Sequence, residues 1–388
     1  MDLMGVRLLY IFRSLAVWGG IERVLVDKMN YLASVYGYEV YMLTTCQGFH
    51  PIPYQIDSLI HVEDLGIQFH RQYQYRGLRK IWDGWKRTRL FEEKLSELIK
   101  KICPDVIICT TADPVFSIVK VKGDIPLVVE SHSICIRTLG EKGFRQRNVA
   151  RLLLKGLKKA TCLVSLSEGD AKEWRKLGVS VKVIPNIVHL NDGALSTLDR
   201  KHVIFVGRFD YQKRPMTMLK IWEELFPRHQ DWHLDIYGEG VQKQALLDAI
   251  DFQNMNIHLH EPTSQIFDAY RKSSILVVTS LYEPFGLVIP EAMSCGLPVV
   301  SFNSPYGPSS IITDGKDGYI AKDDDIELFT RRLEQLMDDT SLRLKMGTYA
   351  VESSKRFSAK QIMPKWKGLF ESLMSVSNEM SDSINTPR

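Results

Sequence analysis

Short continuous apolar runs alternate along this chain with longer stretches in which apolar residues return every three or four positions, the signatures of buried strands and amphipathic helices. In the first half the runs lie at Val6–Phe12, Glu39–Leu43, Asp105–Thr110, Pro126–Glu130 and Thr161–Leu166. The helical pattern falls between them, at Ile21–Tyr36, Thr88–Ile102, Phe144–Lys159 and Glu168–Leu177. Continuous strands separated by helices imply parallel sheets joined by right-handed crossovers. A second cycle runs through His202–Val206, Trp232–Tyr237, Ile257–His260, Ile275–Thr279, Pro298–Phe302 and Gly318–Ala321. The polar stretch Pro185–Lys201, with Asn, Asp, Gly and Ser, reads as a linker between the cycles. Ile326–Met374 is helical by periodicity, and beyond Ser375 the chain is polar and expected to fray. The expected layout is an α/β chain of two Rossmann-like halves: a domain over 1–190, a second over 191–360, a last helix over 361–375 and a disordered tail over 376–388.

The most informative stretch is Ser280–Phe302, SLYEPFGLVIPEAMSCGLPVVSF. A strand delivers the chain to a loop carrying Glu283, Phe285 and Gly286, and a short helix then carries Glu291 until Gly296 stops it. Two carboxylates so placed can face one crevice at the carboxyl edge of a parallel sheet, where such sheets bind ligands. An ionised carboxylate only accepts hydrogen bonds and can take two from a vicinal diol, so the pair suits a ribose and a hexose. Gly286 keeps the backbone bare at a helix N-terminus, which favours an anion such as phosphate. Two glutamates at this spacing also occur on ordinary surface helices, so the pair alone leaves a solvated face open.

The full string is more specific. E-P-F-G-L-x-x-x-E-A-M-x-x-G-L-P-V-V resembles the nucleotide-sugar signature of the retaining glycosyltransferases of family GT4. That resemblance implies the GT-B fold: two Rossmann-like domains facing each other across a cleft, with the last helix crossing back to the N-terminal domain. It also implies that Glu291 holds the ribose hydroxyls, and that Glu283 with the Phe285–Gly286–Leu287 backbone holds the donor hexose. G-R-F-D-Y-Q-K-R after the first strand of the second cycle looks like the family's diphosphate loop, with Gly207, Arg208 and Lys213. Arg as a fork and Lys as a point charge can converge on a diphosphate and stabilise the departing nucleotide without a metal. As isolated residues they could equally be surface cations. Gly238, in I-Y-G-E-G, matches a turn that lies near the nucleotide in the family, and His260–Thr263 is placed to border the base.

In the first half, Gly19 and Gly20 precede a helix and let its free N–H groups approach a ligand closely, though a glycine pair also simply makes a tight turn. Followed by Ile21-Glu22-Arg23, they look like the corresponding family loop. His132, in E-S-H-S after a strand, stands where the family places a histidine that contacts the donor sugar, and the resemblance implies a hydrogen-bond partner rather than a general base. Catalytic expectations therefore fall on His132, Arg208, Lys213 and Glu283. Two departures stand out: PYGPSSIITDGKDGYIA carries Ser310 where the family usually has Glu, and Arg214-Pro215 replaces a common Gly followed by an apolar residue.

With 388 residues, 45% hydrophobic, the chain has ample core for two domains. A formal net charge of +4 excludes a global polybasic field and, with no recognised motif, nucleic acid as a partner. Locally, Arg71–Arg89 interleaves Tyr73, Tyr75, Trp82 and Trp85 with six further cations, and Arg137–Lys159 is basic around leucines. Such segments suit an anionic membrane surface, or are solvated helix faces. Six scattered cysteines without C-x-x-C pairs read as free thiols of a reducing cytosol. No apolar run is long enough to span a membrane, the start is read as free of a signal peptide, and no D-x-D metal motif occupies a site position; the acidic run Asp323–Asp325 is read as a helix start.

The expected protein is a cytoplasmic enzyme, at or near the inner face of the membrane, that needs no metal cofactor. It would move a hexose or N-acetylhexosamine from a nucleoside diphosphate sugar, UDP by family habit, to a glycan or polyprenyl-diphosphate-linked acceptor in bacterial surface polysaccharide synthesis. Alternatives are a sugar-nucleotide epimerase on the same fold, a non-catalytic nucleotide-sugar binder, and a periplasmic binding protein, which the free cysteines oppose.

Overall fold

A computed structural model describes residues 5–140, 144–251 and 255–384. The chain divides into two compact units, one made of the chain up to Leu166, Ala171–Ile187 and the chain from Ile362, the other of Ser167–Asp170 and Val188–Gln361.

The first unit holds the strands β1 (Arg7–Phe12), β2 (Glu39–Thr44), β3 (Ile60–Asp64), β4 (Val106–Thr110), β5 (Leu127–Ser131), β6 (Cys162–Ser165) and β7 (Val181–Val183). They form one parallel sheet in the order β3-β2-β1-β4-β5-β6-β7, with Leu8 opposite Val40 on one side and Val106 on the other. Its helices are α1 (Gly20–Ser34), α2 (Gly77–Ile102), α3 (Val115–Val121), α4 (Cys135–Leu139), α5 (Phe144–Leu157) and most of α6 (Glu168–Lys176). Leu9, Ile11, Ile107, Val129 and Leu163 of the sheet bury against Phe91, Leu95 and Ile99 of α2 and Trp174 of α6. Removing each such side chain from water contributes about 1.5–3 kcal/mol before the entropy of ordering is subtracted.

The second unit repeats the plan with β8 (His202–Val206), β9 (His233–Tyr237), β10 (Ile257–His260), β11 (Ile275–Val278), β12 (Val299–Phe302) and β13 (Gly318–Ala321), in the order β10-β9-β8-β11-β12-β13. The helices are α7 (Pro215–Leu225), α8 (Lys243–Asp251), α9 (Ile266–Arg271), α10 (Val288–Ser294), α11 (Pro308–Ile311), α12 (Ile326–Asp338), α13 (Thr340–Ser354) and α14 (Ala359–Ile384), the last passing into the first unit. Phe205, Ile236, Val277 and Phe302 pack on Trp222 of α7 and Phe329 and Leu333 of α12. The Trp222 indole stays satisfied by donating to the Met255 carbonyl at 2.8 Å. Asp325 starts α12 as the acidic run suggests, its carboxylate accepting from the Leu328 N–H at 2.9 Å.

Four elements stand out against the periodicity reading. α2 begins at Gly77 rather than Thr88, because its first three turns carry exposed Leu78, Ile81, Trp82 and Trp85 among cations and so lack a buried stripe. β3 and β7 are edge strands without a continuous apolar run; in β3 only Ile60 is buried. α14 continues to Ile384 where a tail is expected from 376, since no Gly or Pro interrupts the chain between Gly368 and Pro387; residues 385–388 lie outside the described residues. Lys142 of the second basic segment also lies outside them, as do the side chains of Arg145 and Arg147.

Candidate active site

In the second unit the chemistry gathers on loops leaving the carboxyl ends of parallel strands. The loops after β8 and β9 pack backbone to backbone: the Gly207 N–H donates to the Tyr237 carbonyl at 3.0 Å, and the Phe209 N–H to the Glu239 carbonyl at 2.8 Å. Gly238 has φ 153°, and a Cβ there would lie 1.9 Å from the Gly207 carbonyl oxygen, so only glycine lets these loops close. The Asp210 carboxylate then accepts from the Gln212 and Lys213 N–H groups at 3.0 and 2.9 Å, turning the loop back toward the sheet.

That turn delivers Lys213 to Glu283, and the two form an ion pair with little exposure of either side chain. Ser280 Oγ lies 3.2 Å from the same carboxylate oxygen. The Glu283 backbone is fixed independently, its carbonyl accepting from Tyr306 and Gly307 N–H groups at 3.0 and 2.7 Å. Arg208 does not join Lys213: its exposed guanidinium sits 3.2 Å from Asp210 and donates to Gln212 Oε1 at 2.8 Å. The two cations expected to converge therefore have separate partners, because each finds an acceptor inside its own loop or across the sheet edge.

Beyond Glu283, Phe285 is buried edge-on against Phe357 with ring centroids 5.3 Å apart, so its side chain belongs to the core. Gly286 adopts φ 91°, and Leu287 precedes α10 with helical angles. Glu291 is buried in the first turn of α10, 3.3 Å from the Tyr270 hydroxyl. Ser310, where the family has Glu, donates to the Gly307 carbonyl at 2.6 Å and serves the local turn.

In the first unit Gly19 caps α1 in extended conformation and Gly20 opens the helix. A Cβ at Gly19 would meet the Glu22 carboxylate at 2.3 Å, so glycine here admits a folded-back acid. Burial pushes the Glu22 carboxyl up, partly offset by His132. The Tyr54 hydroxyl donates to the Gly19 carbonyl at 2.8 Å, and exposed Trp18 packs against the Tyr54 ring.

His132 follows β5 with its side chain buried, Nε2 being 3.2 Å from Glu130 Oε2. The carboxylate lies off the N–H direction, so this is a close contact rather than an aligned hydrogen bond. Glu130 also forms a buried ion pair with Lys28 of α1. The Trp366 ring of α14 lies 4.0 Å from the Lys28 ammonium, and Tyr10 lies 5.4 Å from it. Burial alone would raise the Glu130 carboxyl, but Lys28 and His132 hold it at about 2; burial likewise pulls the Lys28 ammonium down. Sequence reasoning singles out His132 and misses both partners. The available signals are a Glu two positions before the histidine and a Lys on the apolar face of α1 among Leu25, Met29 and Leu32.

A pocket of about 440 Å³ opens at the carboxyl ends of β1, β2 and β4, with Arg13, Cys46, His70 and Asp113 among its walls. Cys46 Sγ is 3.3 Å from His70 Nδ1. Burial pushes the Asp113 carboxyl up to about 7 against hydrogen bonds from the Thr110 N–H and hydroxyl, at 2.7 and 2.8 Å. Among the described residues no cluster of three His, Cys, Asp or Glu is arranged to hold a metal ion.

The family model described as Glycosyltransferase Family 4 matches residues 18–192, and the one described as Glycosyl transferases group 1 matches residues 192–353. An uncharacterised glycosyltransferase of Haemophilus influenzae is 27% identical over 363 residues, 90% of this chain and 96% of that protein. The GalNAc-alpha-(1->4)-GalNAc-alpha-(1->3)-diNAcBac-PP-undecaprenol alpha-1,4-N-acetyl-D-galactosaminyltransferase of Campylobacter jejuni is 23% identical, with 90% of this chain and 94% of that one covered. Among solved structures, a TarM variant of S. aureus in complex with UDP superposes with a TM-score of 0.75 at 16% identity, covering 94% of this chain and 99% of that one.

Proposed function

The chain belongs to the group 1, family 4 glycosyltransferases of GT-B fold, and from that premise we propose a retaining enzyme that moves a hexose or N-acetylhexosamine from a nucleoside diphosphate sugar, UDP the leading nucleotide, to a lipid-diphosphate-linked glycan. The observation that carries the donor side is the Lys213–Glu283 ion pair at the sheet's carboxyl edge. A diphosphate, with two or more negative charges, outcompetes one carboxylate for Lys213, and the freed Glu283 then accepts hydroxyl donors of the hexose. Arg208 is exposed on a short loop and swings to the same phosphates, while Glu291 takes the ribose hydroxyls.

The sugar C1–oxygen bond to the diphosphate breaks as the acceptor hydroxyl bonds to C1 on the same face, and the acceptor's proton passes to the leaving phosphate oxygen. Lys213 and Arg208 stabilise the charge that grows on that oxygen, which is where preorganised cations lower a barrier most.

The Campylobacter relative's undecaprenol-diphosphate acceptor supports a lipid-linked glycan as the acceptor class and surface polysaccharide assembly as the setting. The pocket bearing Arg13 and His70 offers cationic and hydrogen-bonding groups to it. An anionic membrane is the matching partner surface: α2 exposes Leu78, Ile81, Trp82 and Trp85, with Lys86 and Arg89 over the two tryptophan rings. No helix of the described residues is long and apolar enough to cross a membrane.

The test is calorimetric titration of UDP, GDP and ADP and their common hexose derivatives in EDTA, on wild type and Glu291→Ala. One nucleotide bound without metal and weakened by the substitution supports the donor site; no binding at millimolar concentration overturns it.

A further inference from the structure

We propose that Arg214 is a positioning residue that holds Lys213 in place for the donor diphosphate, through a tether to the acidic turn before α12. The proposal rests on reading Lys213 as the diphosphate cation.

Arg214 stands in the left-handed region, φ 51° and ψ 52°, a conformation ordinarily left to glycine. An arginine persists there only where its surroundings over-determine it. Its guanidinium reaches three separate segments. Nε donates to the Thr279 carbonyl at the end of β11, at 2.7 Å. Nη2 lies 3.0 Å from Asp323 and Nη1 pairs with Asp324, both on the turn ahead of α12. The guanidinium carbon lies 5.0 Å from the centroid of the Phe302 ring on β12. With its side chain 13% exposed, Arg214 is committed to these anchors and turned away from solvent.

Thr279, which accepts from Arg214, also anchors the loop's backbone. The Thr279 hydroxyl is 2.9 Å from both the Lys213 and the Arg214 carbonyl oxygens. The Leu281 N–H donates to the Gln212 carbonyl at 2.7 Å, and Gln212 Nε2 donates to the Tyr282 carbonyl at 3.2 Å. The segment 212–214 is thus stitched to 279–282, the strand end that leads directly into Glu283. Lys213 lies between the Asp210 turn on one side and the Arg214 tether on the other, and both ends of its ion pair hang from this one seam. Where a glycine would reach the backbone shape by freedom alone, this chain reaches it with a side chain that also fastens the loop. Arg214 therefore acts through Lys213 and does not itself touch the donor.

The experiment is a double-mutant cycle read by titration with UDP, GDP and ADP in EDTA, on wild type, Lys213→Ala, Arg214→Ala and the double variant, each held below its thermal midpoint. The expected result is that Arg214→Ala weakens the bound nucleotide about tenfold in wild type and less than about twofold in the Lys213→Ala background, a coupling typical of contacting residues. Equal losses in both backgrounds, or no loss in wild type, overturn the proposal. If Lys213→Ala binds nucleotide like wild type, the diphosphate reading of Lys213 falls instead. Should Arg214→Ala fail to fold, Asp323→Asn/Asp324→Asn, which removes the ion pairs and leaves the loop sequence intact, takes its place in the same cycle: a loss confined to the background with Lys213 supports the tether, and equal or absent losses overturn it.

Discussion

Lys213 and Glu283, 70 positions apart, meet in an ion pair at the carboxyl edge of the second sheet, although one is read as a phosphate ligand and the other as a sugar ligand. The pair keeps two mostly buried charges compensated, and on the proposed reading a donor diphosphate separates them, so that each residue governs the other's availability. Glu283→Gln is expected to lower kcat by about 10²–10³-fold, as for loss of one preorganised polar contact at the reaction centre, with a smaller change in nucleotide affinity. Steady-state kinetics with the identified donor checks this; a pure KM effect would place Glu283 outside the transition state.

Lys28 and Glu130 compensate one another in the first core, and removing one partner strands the other. Lys28→Met is expected to destabilise by about 3–5 kcal/mol, and Lys28→Met/Glu130→Leu by clearly less, because the double change leaves no unpaired buried charge. Urea unfolding of the three proteins measures the difference. A double variant as unstable as Lys28→Met, or more so, contradicts the pairing.

Asp113 supplies a pH signature. Its folded carboxyl is raised to about 7, against about 3.9 in an unfolded chain, so the folded state binds the proton more tightly. That stability is fully present below about pH 4 and is lost as pH rises through 7, at most about 4 kcal/mol. Asp113→Asn keeps an acceptor for Thr110 and should flatten the fall between pH 4 and 7. Denaturant midpoints across that range decide, and parallel curves for the two proteins would remove Asp113 as the source.

The exposed tryptophans of α2 make the membrane contact measurable. Trp82→Ala/Trp85→Ala should reduce flotation with liposomes containing anionic phosphatidylglycerol while leaving nucleotide binding unchanged, since both rings are largely exposed and outside the donor loops. Equal failure of wild type to float with neutral and anionic liposomes removes the contact altogether.

Much of the architecture is legible in the chain because a parallel strand buried on both faces leaves a continuous apolar run that survives without knowledge of its neighbours. His202–Val206, Ile257–His260 and Gly318–Ala321 appear in the structure at the expected bounds. Edge strands such as Ile60–Asp64 bury too little to leave that trace, and the exposed start of α2 leaves none of the stripe that marks a helix. The loops proposed to hold the donor are legible for a different reason: Gly238 and Gly286 adopt unusual dihedral angles, Gly207 lies against the Lys213 side chain, and their spacing from Lys213, Glu283 and Glu291 is local.

By itself, then, the sequence determined the α/β class, the two cycles of strands and the segments to which the donor chemistry is assigned by proposal, since each depends on periodicity or motif within a few tens of residues. The tertiary structure decided which charges meet: Lys213 with Glu283 rather than with Arg208, Arg214 with Asp323 and Asp324, and His132 beside a Glu130 already paired to Lys28. Those partnerships join positions 70 to 110 apart, apart from the local Glu130–His132 contact. A charge selects its partner by distance and burial, and neither quantity exists until the strands are in register and the cores are closed.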